Sequence, residues 1–383
     1  MTTAVRKTRK VGEITKSRLV GIDALRGIAA FAVVLFHVFG NGLAYRDVVA
    51  IDKLNSWNFF YFVPAFGYTG VFLFFVISGF CIHLRWAKAR AKDDQADPEI
   101  DFFAFWKRRI IRLYPGYIAA IAVFLTWEYY NSVLVVNGFF LWDLVAHFLM
   151  IHNLDNRTVY SMNGVFWTLA IEEQLYLLYF LLLALRRKLG WTIALGITFA
   201  SRFLWLGVSV LITKKLGFEL PFTEGSLANW WIWAMGALAV ENYYKVVKFP
   251  DWCYSRILVF FLLILAALVH YLGSLTPSPS VFANIAILFE PLVWGGGFFV
   301  LVTYVTSFEG KYRLDGIEYK MLAALAFVGL FSYSLYLTHE FVLQVLAGMN
   351  LYMICIICLV FAYVFFLLFE RPFMVYLARQ KQA

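Results

Sequence analysis

Charge is scarce in this chain. Only 15% of its 383 residues are charged, against 62% hydrophobic and 20% aromatic, a balance that excludes a soluble domain of this length and leaves a polytopic membrane protein. Cysteine is scarce too. There are four, two of them as Cys355-Ile-Ile-Cys358 in an apolar run, which excludes a disulfide framework or a paired-knuckle metal site and leaves packing or lipid-facing roles. No small-residue cleavage signature follows the basic stretch Arg6 to Arg18 and the apolar run after it, so the first helix is expected to stay in the protein. No repeat, low-complexity tract or second soluble domain occurs, and the longest inner loop, about 86–105, is too short to fold alone. The net charge of +9 does not argue for a nucleic-acid partner, because the cations gather at the ends of apolar segments, where orientation in a bilayer accounts for them.

Stretches of about 20 apolar residues, long enough to span, fall near 19–42, 61–84, 110–130, 164–185, 191–212, 228–245, 255–273, 282–306, 321–345 and 350–370. The expected fold is an all-α polytopic membrane protein, a single bundle of about ten transmembrane helices with both termini cytoplasmic. It divides into a basic cytoplasmic tail at 1–18, a transmembrane domain at 19–372 and a cytoplasmic tail at 373–383. With that orientation the inner loops hold Arg85 to Arg112, Arg186 to Lys188, Lys245 to Arg256 and Lys311 to Lys320, whereas the outer loops hold only Arg46, Lys53, Arg157, Lys214 and Lys215, as the positive-inside rule requires. Phe139 to Met150 is too short to span and puts Asp143 and His147 on one face, so 131–163 reads as an outer interfacial segment.

Within these spans a few ionisable residues stand out, since such groups in hydrocarbon are costly and usually functional. Arg26 and His37 lie eleven residues apart in the first span. At about 100° and 1.5 Å per residue they share a helix face roughly 16 Å apart. Arg109 and Arg112, one turn apart at the inner mouth of the third span, either anchor the helix or grip a phosphate bidentately. Glu172 lies at a depth comparable to His37, where it either orients the imidazole or pairs with an unrelated cation. His339 and Glu290 reach the same outer half; His339 reads as a packing residue or a catalyst, and Glu290 needs a partner. Ser78-Gly79 and Gly295-Gly296-Gly297 suit close helix approach, a packing role. Trp57, Phe59, Phe60, Tyr61, Trp230, Trp231 and Trp233 suit either an aromatic belt or sugar stacking.

Five blocks in order resemble the acyltransferase 3 family of bacterial integral-membrane acyltransferases, over nearly the whole chain: Arg26 with ten residues to His37; Phe-Phe-Val-Ile-Ser-Gly-Phe ending at Phe80; Arg109 to Arg112 followed by Tyr114-Pro115; Trp167-Thr168-Leu169 to Glu172-Glu173-Gln174; and Tyr-Ser-Leu-Tyr-Leu-Thr-His ending at His339. Thr168 departs from the serine common in the family and keeps the hydroxyl. The resemblance implies a membrane O-acyltransferase of the bacterial inner membrane that moves an acyl group, commonly acetyl, from cytoplasmic acyl-CoA to a hydroxyl of an outer glycan or glycolipid such as exopolysaccharide or lipopolysaccharide. It would make Arg26 and His37 essential and Arg109 and Arg112, with Arg26, contacts of the CoA. His339, Tyr336, Ser78, Trp167 and Glu290 are expected to support the substrates.

On this reading His37 is general base for the acceptor hydroxyl, or takes the acyl group transiently, and Glu172 orients it. A thioester is already activated, so no metal or tightly bound cofactor is expected. Acceptor choice is expected to rest on loops 43–60, 131–163 and 213–227. The rival from another class is a transporter or flippase of a lipid-linked glycan, for which buried Arg, His and Glu would line a path.

Overall fold

The computed structural model describes residues 19–40, 64–93, 98–275, 280–309 and 316–380, and among these it is all helical with no strand. The basic tail 1–18, the loop 43–60 with Arg46, Lys53, Trp57, Phe59 and Phe60, and Tyr61, Lys311, Arg313 and 381–383 lie outside the described residues. The helices are α1 (Val20–Gly40), α2 (Gly70–Arg90), α3 (Phe102–Tyr130), α4 (Gly138–Phe148), α5 (Trp167–Leu216), α6 (Ser226–Tyr243), α7 (Arg256–Leu275), α8 (Val281–Ser307), α9 (Ile317–Leu330), α10 (Ser332–Val345), α11 (Leu351–Phe365) and α12 (Arg371–Gln380).

Seven of them are long and apolar enough to cross a membrane, eight if the bent pair α9 and α10 counts as one crossing. The difference from the ten expected has two causes. The stretches 164–185 and 191–212 run together as the 50-residue α5, broken only at Gly190, where φ is 76° and glycine alone avoids the Cβ penalty. The second is α6, which carries Asn229, Glu241 and Asn242 within 18 residues and falls below the apolarity of a span. A third departure concerns shape: the expected continuous helix 321–345 is two helices bent by 73°. At the bend the Ser332 hydroxyl donates to the Gly329 carbonyl at 3.0 Å, a local bond that competes with the helical ladder.

Close backbone approach holds the bundle together. A side chain at Gly79 of α2 would meet the Trp233 carbonyl of α6, and one at Gly236 the Val76 carbonyl. The same mutual exclusion links Gly27 of α1 to Leu325 of α9, and Gly329 to Asp23. Small residues at helix crossings are the expected device where hydrocarbon offers no hydrophobic drive to association. Trp230 and Trp233 are buried in this core rather than forming a belt, and Cys355 and Cys358 are likewise buried. Gly295 packs on Ile232 and Gly297 on Leu263.

Arg202, in the second arm of α5, is fully buried for a reason 89 positions along the chain. Pro291 in α8 has no N–H, so the Ile287 carbonyl loses its helical donor. Arg202 supplies it at 2.8 Å, donates to the Leu288 carbonyl at 2.9 Å, and reaches the Ala228 carbonyl of α6 at 2.9 Å.

The segment between α3 and α5 folds as the expected short helix, with Asn137 capping the Phe140 amide at 2.9 Å. Asp143 and His147 do share a face, 3.1 Å apart. Asn153 ties the segment to Gln174 of α5 and to the Glu224 carbonyl. Asp155 accepts from Trp142 and twice from the Arg157 side chain, and the Arg157 bonds hold its carboxyl below the usual range.

Candidate active site

Two groups of polar side chains occupy the two ends of one face of α1. At the first, a cavity of about 350 Å³ lies between α1, α2, α3, α5, α9 and α10, and Arg26, Arg109, Arg112, Ser78, Glu172 and Tyr336 all line it. The structure therefore brings together six of the expected site residues, drawn from five helices. Asp101 caps the first turn of α3, fixing the helix whose next turns carry the arginine pair.

Three carboxylates also line the cavity, and each is engaged. Asp23 lies 3.6 Å from Arg26 one turn away. Glu172 accepts from the Tyr176 hydroxyl at 3.1 Å and bonds Ser78. Glu370, at the π turn Phe366–Glu370, accepts from Ser334 at 2.8 Å. Arg26 adds a contact to the Cys81 sulfur at 3.2 Å. Arg109 and Arg112 are different. The Nε of each is buried without a partner, and neither forms an ion pair among the described residues. Arg109 instead lies 4.6 Å over the Phe105 ring and 5.8 Å from that of Tyr176. A buried donor left without a partner is costly, and two half-buried guanidinium groups with unused Nε donors at one cavity have the chemistry to hold a phosphate or pyrophosphate. Behind them Glu173, 5% exposed, has no partner for either oxygen; the sequence reading passed over it in favour of its neighbour.

The second group surrounds His37. Its Nδ1 lies 2.9 Å from the Val33 carbonyl and 3.2 Å from His339 Nε2, and its Nε2 lies 3.3 Å from a carboxylate oxygen of Glu340. His339 is fully buried, with Nδ1 against the carbonyls of Leu335 at 3.1 Å and Tyr336 at 2.9 Å. Tyr336 joins the two groups: it lines the cavity, takes the Thr168 hydroxyl at 2.9 Å, and its ring centroid is 5.8 Å from that of His339.

The expected pairing of Glu172 with His37 is corrected here. Glu172 serves the arginine end, and the carboxylate beside His37 is Glu340. Depth along two helices was compatible with either arrangement, but the face of α5 that carries Glu172 and Tyr176 turns toward Ser78 of α2 and lines the cavity with Arg26. Glu340 was missed although it directly follows His339 in the block that drew attention. Trp167 opens α5 and packs on the hydrophobic core, and among the described residues it makes no hydrogen bond or ring contact to either group. Glu290 has its partners elsewhere: Tyr68 donates to it, His270 lies 3.0 Å away and Trp294 donates at 3.2 Å. That cluster approaches the His37 region through the Tyr68 ring, 5.7 Å from Phe36.

His37, His339 and Glu340 each bring one ligand-type atom within 4.8 Å of the others. Within that set the contacts are His339 Nε2 to His37 Nδ1 at 3.2 Å and His37 Nε2 to Glu340 at 3.3 Å, which link the three side chains in a chain.

Helices long and apolar enough to cross a membrane thus carry a basic cavity at one end of a helix face and a histidine–carboxylate group at the other, a polar site inside a membrane bundle. The family model described as "Acyltransferase domain" matches residues 19–369, and the chain belongs to that acyltransferase 3 family. It is similar to O-acetyltransferase OatA of Staphylococcus aureus, 28% identical over 171 residues that make up 42% of this chain and 24% of the relative. Peptidoglycan O-acetyltransferase OatA of Listeria monocytogenes is 28% identical over 183 residues, 43% of this chain and 24% of the relative. A putative acetyltransferase, ORF330 of Acidianus two-tailed virus, is 28% identical over 204 residues, 52% of each chain. The chain thus spans about a quarter of the OatA proteins' length and half of the viral one. No solved structure matches.

Proposed function

We propose that the protein is a bacterial inner-membrane O-acyltransferase that moves an acyl group, preferentially acetyl, from cytoplasmic acyl-CoA to a hydroxyl of an extracytoplasmic glycan such as exopolysaccharide or lipopolysaccharide. The observation that carries this reading is the pair Arg109 and Arg112, half-buried at a cavity with the buried Nε of each unused. A CoA pyrophosphate is the anion that such a pair fits in a family that transfers acyl groups. The names of the relatives, O-acetyltransferase and peptidoglycan O-acetyltransferase, support a glycan acceptor.

Counting the two arms of α5 separately, taking α9 and α10 as one crossing and adding α6 gives ten crossings with both termini cytoplasmic. The arginine end then faces the cytoplasm, where acyl-CoA is made, and the His37 end faces outward. The pantetheine arm of the donor is long and thin enough to follow the α1 face from Arg26 toward His37. Arg109 and Arg112 hold the phosphates, Arg26 steadies the arm, and Glu172 keeps Tyr176 and Ser78 in place along the path. At the far end His37 Nε2 takes the proton of the acceptor hydroxyl as its oxygen bonds to the thioester carbonyl carbon. The C–S bond then breaks, and the same proton passes to the departing thiolate.

Release of free CoA from acetyl-CoA by the purified protein in nanodiscs, with and without a crude surface-glycan extract, tests the proposal. His37→Ala is expected to lower turnover at least about 100-fold, and normal turnover in that variant would remove the catalytic assignment. The bent pair α9 and α10 favours a second reading, since discontinuous helices mark binding sites in transporters. Transport of a lipid-linked glycan without CoA release or saturable CoA binding would establish it instead.

A further inference from the structure

The His37 ring is gripped on both nitrogens by consecutive residues of α10. His339 meets Nδ1 and Glu340 meets Nε2, and the placement of protons follows from their partners. His339 Nδ1 faces two carbonyl oxygens, so it carries the hydrogen and leaves Nε2 as an acceptor. His37 Nδ1 faces the Val33 carbonyl and that acceptor, so it too carries a hydrogen. The basic atom of His37 is therefore Nε2, the one beside Glu340.

A proton taken up at Nε2 makes an imidazolium in largely apolar surroundings, and an ion there needs a counter-ion. His339 cannot supply one, being neutral with its N–H turned to its own helix. Of the other groups near the ring, Tyr68 from the turn before α2 is committed to Glu290, and Cys358 of α11 faces the His339 carbonyl at 3.9 Å. Glu172 and Glu290 are held by the partners already described. Among the described residues Glu340 is the carboxylate within ion-pair range of His37.

Resting on the acyltransferase reading above, we infer that Glu340 is the counter-ion that holds the His37 imidazolium between the two proton transfers. The acceptor O–H proton moves to Nε2 while its oxygen bonds to the acyl carbon. Glu340 stays anionic throughout. The C–S bond breaks, the electron pair leaves on sulfur, and the Nε2 proton passes to it to give the free thiol. Glu340 contacts His37 Nε2 but exchanges no proton in this scheme and acts on the substrates only through that ring.

The test compares wild type, Glu340→Gln, Glu340→Asp and His37→Ala in nanodiscs by two readouts. One is CoA release from acetyl-CoA with the surface-glycan extract, followed against pH. The other is ¹⁵N NMR of histidine-labelled protein, with the His37 signal assigned from its loss in His37→Ala. A carboxylate favours the charged ring, so in Glu340→Gln the acidic limb of the rate profile and the ¹⁵N signature of His37 should both change in the direction of a less readily charged ring. Turnover should fall roughly 10- to 100-fold, KM for acetyl-CoA should stay within about twofold, and Glu340→Asp should restore part of the loss. An unmoved His37 titration in Glu340→Gln overturns the inference, whatever happens to the rate. So does a rate loss with an unmoved limb, which marks a structural residue. If His37→Ala keeps full turnover, the parent reading fails separately.

Discussion

The bundle buries two clusters of charge that follow opposite rules. In one, Glu241 of α6 accepts from His83 at 2.9 Å, from Arg186 at 2.9 and 2.8 Å and from Trp191 at 3.0 Å, filling the roughly four acceptor positions of a carboxylate. His83 spends its other nitrogen on Tyr179 at 3.0 Å, and Arg186 lies 4.6 Å over the Trp86 ring. The carboxylate has no acceptor position to spare, and the Trp86 Nε1 is the unpartnered polar atom beside it. In the other, buried Glu173 and half-buried Arg109 and Arg112 carry buried polar atoms without a partner. A saturated network fixes helices to one another; an unsaturated one costs stability and is kept for what it binds. The contrast separates structural from functional charge where burial alone does not.

Removing the central acceptor of the saturated cluster should have the largest effect on stability. Glu241→Ala leaves Arg186 and His83 buried without a counter-charge and is expected to cost about 3 to 5 kcal/mol, read as loss of monodisperse protein on size exclusion or a Tm lower by roughly 5 °C or more. Arg109→Gln should do the reverse, leaving Tm equal or higher because an unpaired cation has gone. Its KM for acetyl-CoA should rise some 30- to 100-fold, which matches about 2 to 3 kcal/mol for charge-assisted hydrogen bonds to a phosphate. Equal destabilisation by the two variants would break the distinction.

Much of this was legible from one sequence because hydrocarbon punishes charge. Arg26, His37, Arg109 and Arg112 stood out as ions in apolar runs, and all but His37 converge on the cavity, with His37 at the far end of the same α1 face. What stayed hidden depends on rotation and on distant neighbours. Choosing between Glu172 and Glu340 as the partner of His37 requires knowing which way α5 and α10 face, and spacing along a helix fixes depth, not orientation between helices. Arg202 sat unremarked in an apolar span because its purpose, the carbonyls freed by Pro291, lies on another helix. The Glu241 network was invisible for the same reason: His83, Arg186, Trp191 and Glu241 come from three helices and meet only on folding.

The smallest test asks whether the contrast extends to buried groups that are polar but neutral. His152 is fully buried in the segment before α5, its ring stacked 3.9 Å from that of His147. Burial first and the neighbouring His147 ring second push it down to about 3. The folded value is depressed below the ordinary 6.5 or so of an unfolded histidine, so the neutral ring stabilises the fold fully above that value. The contribution is lost progressively as pH falls from there toward 3, because the unfolded chain takes up the proton and the folded one does not. Between pH 7 and pH 5 the loss from this one ring is on the order of 2 kcal/mol. Thermal unfolding in nanodiscs at the two pH values should show that drop in wild type and a clearly smaller one in His152→Phe, whose ring keeps the stacking and cannot be protonated. An undiminished drop in the variant would mean that the acid sensitivity comes from another group, and that a neutral buried ring, unlike an unpaired guanidinium, leaves no measurable mark on stability.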